Sequence, residues 1–339
     1  MLSIDGSYGE GGGQIVRTAV ALSVLTNQPV EIRNIRAGRS NPGLRPQHYT
    51  AICCIRDICD AEVEGLSVHS TSLRFTPRDV KPGIYTFDVG TAGSMILIFQ
   101  ACLLSVFHAS APLTIKLRGG TDVRWAPSWD YFAHVFLPLI NKMGIKTDVT
   151  LIKRGYYPTG GGEAQLTIHP VSRLLLFSAE EPEEFTEING IVHIANLPEH
   201  ISTRMKHAAI KTALKQNLRS TIQIDAAPSS SSGTGITLWA ASESTILGST
   251  VLGEKTISAE AVGETASHQL IKEIKSGATI DRYAIDQILP YLALAPKGSS
   301  CLIREMSNHT KTNMSLIQQF FSVDFEVTSQ QQLTKLFVN

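Results

Sequence analysis

No stretch of this 339-residue chain is apolar for long enough to span a membrane. Its first residues, Met1-Leu2-Ser3-Ile4-Asp5-Gly6, lack the basic-then-apolar pattern of a secretory leader. Net charge is absent as well, because 30 Lys and Arg balance 30 Asp and Glu. Bulk attraction is therefore not how such a chain would hold nucleic acid, although a local basic site remains open to it. Cysteine is scarce: Cys53, Cys54, Cys59, Cys102 and Cys301 are an odd number with no C-x-x-C pair. They read as reduced thiols in the core of a cytoplasmic protein, not as a disulfide framework or a zinc site. Hydrophobic residues at 43% and charged residues at 18% give a folded composition, long enough for one large domain or a domain carrying a second.

Glycine-rich turns punctuate the first half. A strand at Leu2 to Asp5 leads through Gly9-Glu10-Gly11-Gly12-Gly13 into a helix from Gln14 to Thr26. Tyr85 to Val89 leads through Gly90-Thr91-Ala92-Gly93 into a helix from Ser94 to Phe107. Leu113 to Leu117 leads through Gly119-Gly120-Thr121-Asp122 into a helix from about Pro127 to Met143, with Pro138 predicting a break. These are related α/β units. After Ser178 an acidic connector, Glu180-Glu181-Pro182-Glu183-Glu184, opens a strand–helix–strand block that reads as a small inserted α/β domain. The predicted helices after it run over Ile280–Leu294 and Thr312–Phe321.

Several clusters carry candidate chemistry. The turn at Gly9–Gly13 feeds a helix N-terminus, whose free N–H groups favour phosphate, and Gln14 and Arg17 share its first face. Glu10 could hold a divalent cation there; the competing reading is a tight turn with surface Glu and Arg. The glycine spacing is not a G-x-G-x-x-G fingerprint. Gly248 to Thr256 (GSTVLGEKT) imitates a P-loop, but Glu254 separates its glycine from Lys255, so it reads as a decoy. Arg33, Arg36, Arg39, Arg45 and His48 form a basic loop around Asn41-Pro42-Gly43, suited to phosphate oxygens. Tyr283, Asp286 and Gln287 would share one side of a helix and could meet a base, a ribose or a metal. His309 lies in Ser307-Asn308-His309-Thr310-Lys311-Thr312-Asn313, just ahead of a predicted helix. In the inserted block, Arg204, Lys206, Lys211, Lys215 and Arg219 read as a solvated basic face or as an RNA contact.

Together these motifs resemble the RNA 3′-terminal phosphate cyclase family. The resemblance rests on Gly9 to Gln14 with Arg17; Ile35 to Arg39 with Pro42 to His48; Gly119 to Asp122; Tyr157-Pro158 before Gly160-Gly161-Gly162; Tyr283 to Gln287; and His309 with Thr312-Asn313. It implies an α/β (α+β) fold, with three units of a four-stranded sheet and two helices forming a core at residues 1–182 and 276–339. A smaller α/β domain would be inserted at 183–275. It further implies a ligase-type nucleotidyl transferase that uses ATP and a divalent cation, Mg or Mn, to turn an RNA 3′-phosphate into a 2′,3′-cyclic phosphate. His309 would carry AMP, which then moves to the RNA end. The resemblance assigns Glu10 to the metal, and Gln100, Pro127, Tyr283, Asp286 and Gln287 to ATP, with Pro127 and Tyr283 sandwiching the adenine. It assigns Arg17, Arg36, Arg39, Arg45, Gln47 and His48 to phosphates of ATP or of the RNA end, Arg45 being either a phosphate contact or a loop support. The expected partners are ATP and an RNA 3′-phosphate end, with no membrane and with a homodimer left open. Two rivals stand beside this reading. One is the family's non-catalytic branch in ribosome assembly, which lacks the histidine. The other is a carboxyvinyl transferase of the EPSP synthase type, similar in fold alone.

Overall fold

The computed structural model describes residues 1–339. The first unit runs β1 (Leu2–Asp5), α1 (Gly13–Thr26), β2 (Val30–Arg33), α2 (Pro46–Cys59), β3 (Glu62–Glu64) and β4 (Leu73–Thr76). Its strands lie in the order β1-β2-β4-β3, with β1 parallel to β2 and the other neighbours antiparallel. The second unit repeats the plan with β5 (Ile84–Asp88), α3 (Met95–Val106), β6 (Leu113–Gly119), a broken helix, β7 (Thr147–Lys153) and β8 (Gly162–Ile168), in the order β5-β6-β8-β7. The broken helix comprises α4 (Trp129–Tyr131), a π-helical run (Phe132–Phe136) and α5 (Leu137–Lys142). Pro138 has no amide hydrogen to return to the preceding turn, and the chain ahead of it widens into π geometry.

The third unit starts with β9 (Ser178–Ala179) and is then interrupted. The interruption holds β10 (Glu187–Ala195), α6 (His200–Leu214), β11 (Arg219–Ala226), β12 (Gly233–Ala241), β13 (Ile246–Leu252) and α7 (Ala259–Ser276). Its sheet is ordered β11-β10-β12-β13. The third unit then resumes with α8 (Ala284–Leu294), β14 (Ser299–Ile303), α9 (Asn308–Ile317), β15 (Phe325–Gln330) and β16 (Leu333–Val338). Its order, β15-β16-β14-β9, is the same plan again, since β9 runs parallel to β14 and β16 pairs antiparallel with both β14 and β15. The fold is α+β, four mixed four-stranded sheets with helices packed between them.

The helices make the interior. α3 (MILIFQACLLSV) carries no charge and buries ten of its twelve residues, as a helix apolar on every side must. It packs on α1, α2 and α8, while α1 also meets α9. One apolar core of 65 residues draws on all three units, and 15 residues of the interruption form a separate core. The interruption therefore buries its own apolar surface. All five cysteines are buried and free.

Three expectations move. α8 starts at Ala284, not Ile280, because Asp281 turns its carboxylate onto the amides of Tyr283 and Ala284, while Ile280 bridges to Ile303. α9 starts at Asn308, not Thr312, because Ser307 caps it by accepting the Thr310 amide at 2.9 Å. Arg219 belongs to β11 and not to the basic helix α6, whose Arg204 is paired with Glu260.

Candidate active site

The glycine turn ahead of α1 packs directly against α9. Gly9 and Gly11 hold φ of +58° and +53°, where a side chain is strained, and a Cβ on Gly9 would collide with the Thr312 hydroxyl. Gly12 caps α1 without a side chain to satisfy the first-turn amides, leaving the positive end of the helix to an anion. Beside this turn opens a cavity of about 680 Å³, whose lining includes Tyr8, Glu10, Arg39, Asn308, Lys311 and Thr312.

His309 is the second residue of α9 and so lies inside the helix, not ahead of it. Its Nδ1 is 3.0 Å from Gln14 Oε1, and its Nε2 is 3.1 Å from Glu10 Oε2. Amide and carboxylate oxygens can only accept, so in these contacts the ring donates from both nitrogens; released from Glu10, a neutral ring would keep its Nδ1 proton on Gln14 and its lone pair on Nε2. The ring is 45% exposed, and its neighbours Glu10 and Asn308 line the cavity. Glu10 in turn lies 3.5 Å from Arg39 Nη2, which also donates to the Glu10 carbonyl at 2.9 Å.

The basic residues divide by their partners. The Arg17 side chain makes no ion pair or hydrogen bond within the protein, and burial pushes its guanidinium down to about 10. Arg36 donates to the carbonyls of Asn41 and Gly43 at 2.6 and 2.9 Å and so closes its own loop. Burial, then Arg45, then Arg39 lower its guanidinium, which shows how tightly the three cations crowd. Arg45 caps α2 and receives the His48 amide on its carbonyl. Gln47 is spent on structure, since its Oε1 takes the Ser94 amide at 3.1 Å and ties α2 to the start of α3. His48 accepts the Arg45 amide on Nδ1 at 3.1 Å, which puts its proton on Nε2, beside Gly13. Burial first, then Arg17, Arg36 and Arg45, push this ring down to about 2 and keep it neutral.

Tyr283, Asp286 and Gln287 do not share one side of a helix. Tyr283 precedes α8, because Asp281 has taken its amide. Gln287 donates to the Tyr283 carbonyl at 2.8 Å and accepts from Gln100, so these three meet at one place. Asp286 points the other way. It accepts the hydroxyls of Ser307, at 2.8 Å, and Thr310, and Asn313 donates to its carbonyl at 3.2 Å. Burial raises its carboxyl and those hydroxyl bonds oppose the rise. Asp286 thus anchors the turn that carries His309. Pro127 sits in the loop ahead of α4.

Residues to which the sequence assigned no role also line the cavity. Asn308, Lys311 and Thr312 share one face of α9 at i, i+3 and i+4, a spacing legible only once the helix is known to begin at 308. A second polar cluster lies where the interruption meets the second unit. Arg154 reaches Asp122, Asp130 and Asp225 at 3.2, 2.9 and 2.7 Å, and Tyr156 bonds His193 at 2.9 Å. Asp122, Asp130 and His193 lie close enough to hold a metal, but the Arg154 guanidinium already occupies both carboxylates. Gly248 lies in β13, so the P-loop lookalike is a strand, and Glu254 beyond it pairs with Arg124 at 2.7 Å.

A family model described as RNA 3′-terminal phosphate cyclase matches residues 8–327. The RNA 3′-terminal phosphate cyclase of Pyrococcus furiosus is 41% identical over 327 residues, covering 96% of this chain and 95% of the relative. That of Pyrobaculum aerophilum is 43% identical, covering 95% and 93%, and that of Nitrosospira multiformis is 41% identical, covering 99% and 96%. No helix of the structure is long and apolar enough to cross a membrane. With relatives matched from end to end at this identity, and with the family's model covering all but its two ends, the chain belongs to the RNA 3′-terminal phosphate cyclase family.

Proposed function

We propose that this protein is an ATP-dependent ligase that converts an RNA 3′-phosphate to a 2′,3′-cyclic phosphate through an adenylated His309. The observation that carries the reading is the placement of His309: a half-exposed ring with Nδ1 on Gln14 and Nε2 beside Glu10, set against an uncapped helix end and a cationic loop.

His309 Nε2 attacks the α-phosphorus of ATP, forming a P–N bond as the P–O bond to pyrophosphate breaks. A 3′-phosphate oxygen of the RNA then attacks the same phosphorus, releasing Nε2 and leaving RNA(3′)pp(5′)A. The neighbouring 2′-hydroxyl loses its proton and attacks the 3′-phosphorus, closing the ring and expelling AMP. That last step is intramolecular and gains from proximity.

Arg17, Arg39, Arg45 and the Nε2–H of neutral His48 would hold phosphate oxygens as charge builds on them. Arg36 and Gln47 would support that loop, in keeping with their bonds to Asn41, Gly43 and Ser94. Gln100, Gln287 and Tyr283 would meet the nucleoside of ATP, with Pro127 as the other wall and Asp286 holding the His309 turn. Glu10 fits a divalent cation, Mg or Mn, as one carboxylate at a cavity where ATP phosphates would supply further oxygens. Such an ion would neutralise phosphate charge, with Glu10, which contacts His309 Nε2 at 3.1 Å, as the residue that would hold it. We place the enzyme in the cytoplasm, a reading its five free thiols support. Residues 183–275 are read as an inserted domain around the 15-residue core.

The test is an RNA bearing a labelled 3′-terminal phosphate, incubated with protein and a divalent cation. Label that becomes resistant to phosphatase only when ATP is present supports the reading. Label that stays sensitive with ATP contradicts it.

A further inference from the structure

Asp281 accepts hydrogen bonds from four donors and has no part in the chemistry above. Its oxygens take the Tyr131 phenol at 2.7 and 2.9 Å. Oδ1 takes the amides of Tyr283 and Ala284 at 2.9 and 3.0 Å, and Oδ2 takes the Gly248 amide at 2.9 Å. Asp281 is fully buried, and these donors come from three places: α4, the start of α8, and β13 of the interruption.

The meeting is close. A Cβ on Gly248 would lie 2.6 Å from Val135 Cγ2 and 2.8 Å from Tyr131 Cε2, so only glycine lets β13 approach. The residue that looked like part of a P-loop thus serves to bring the strand's backbone within reach of Asp281.

Two residues beyond Asp281, Tyr283 is 46% exposed, with the Arg282 guanidinium 5.2 Å from its ring centroid. A half-open ring is held in place by its backbone more than by packing around it. That backbone is fixed at one end by Asp281 and at the other by Gln287. Ser128, next to Pro127, also leans on the interruption, through Thr237 at 2.9 Å and Thr250 at 3.1 Å.

We propose that Asp281 is a positioning residue for ATP, fixing Tyr283 against the nucleotide base by tying the start of α8 to Tyr131 and to Gly248 of the interruption. The interruption then forms the rigid back of the base pocket. This rests on the reading of Tyr283 as the residue that stacks on the base.

The experiment measures self-adenylylation of the full-length chain against ATP concentration for wild type, Asp281→Asn, Tyr131→Phe and Tyr283→Ala, with GTP as the competing donor. Asp281→Asn replaces one acceptor with an amide that cannot take a backbone N–H, and Tyr131→Phe removes only the phenol. Both are expected to raise the half-saturating ATP concentration roughly 5- to 20-fold and to weaken the preference for ATP over GTP, with the limiting rate within about threefold of wild type. If Asp281→Asn does not fold, Tyr131→Phe decides. Wild-type half-saturation in folded variants, or a loss confined to the limiting rate, overturns the proposal while Tyr283→Ala still weakens ATP. An unchanged half-saturation in Tyr283→Ala overturns the stacking reading itself, and the proposal with it.

Discussion

His309 Nδ1 lies 3.0 Å from Gln14 Oε1, so the first turn of α1 and the first turn of α9, 295 residues apart in sequence, set one imidazole between them. The bond selects the tautomer and the direction of Nε2 together. Gln14→Ala should therefore slow the limiting rate of His309 adenylylation by about 10- to 100-fold while leaving ATP half-saturation near wild type. Rapid-quench measurement of the label separates the two. A rise in half-saturation at unchanged rate would make Gln14 a binding residue instead.

Gly13 and His48 touch so closely that a Cβ on Gly13 would overlap the His48 ring. The ring is buried and cannot swing into solvent. Gly13→Ala should force α1 away from α2, lower the melting temperature and abolish label on His309. Normal label with a normal melting temperature would show that the two helices shift apart without consequence.

Burial, reinforced by Arg17, Arg36 and Arg45, holds the His48 ring neutral down to about 2, whereas an unfolded histidine takes its proton near 6.5. Between those values the unfolded chain binds the extra proton, so stability falls as pH drops below about 6.5. From there to about pH 5 the loss from this one ring is about 2 kcal/mol. Urea unfolding of wild type and His48→Asn at both pH values checks it. The variant should lose less stability on acidification, and equal losses would contradict the assignment.

Arg154 pairs with two buried carboxylates, Asp122 and Asp130, and reaches a third at Asp225. Arg154→Met keeps much of the side-chain volume and strands those charges, which should cost about 3–5 kcal/mol. Denaturant unfolding reads it directly. A loss under about 1 kcal/mol would mean that solvent reaches the cluster and screens it.

The sequence discloses this site unevenly, for reasons of chemistry. Glycine turns are legible because Gly9 and Gly11 need positive φ, and the apolar run of α3 is legible because nothing in it could face water. The start of α8 is not, because Asp281 stops that helix with donors from Tyr131 and Gly248, each more than 30 positions away. Nor is the partner of Asp286, whose carboxylate takes the hydroxyls of Ser307 and Thr310 from 21 and 24 positions away. Arg36 and Gln47 carry the right groups for phosphate, yet their nearest acceptors and donors are carbonyls and an amide that only the folded loop brings near. Short strands such as β3 and β9 leave too few residues for alternation to be read. Apart from the family resemblance, the third copy is hidden in the sequence, since the interruption splits it between β9 and α8.

The most direct measurement is incubation of the wild-type chain and of His309→Ala with ATP labelled at the α-phosphate and a divalent cation, followed by denaturation and acid or alkali treatment. The account predicts label on the wild type alone, lost in acid and stable in alkali, as a phosphoramidate should be. Equal label on both proteins, or none on a wild type shown to bind ATP, would contradict it.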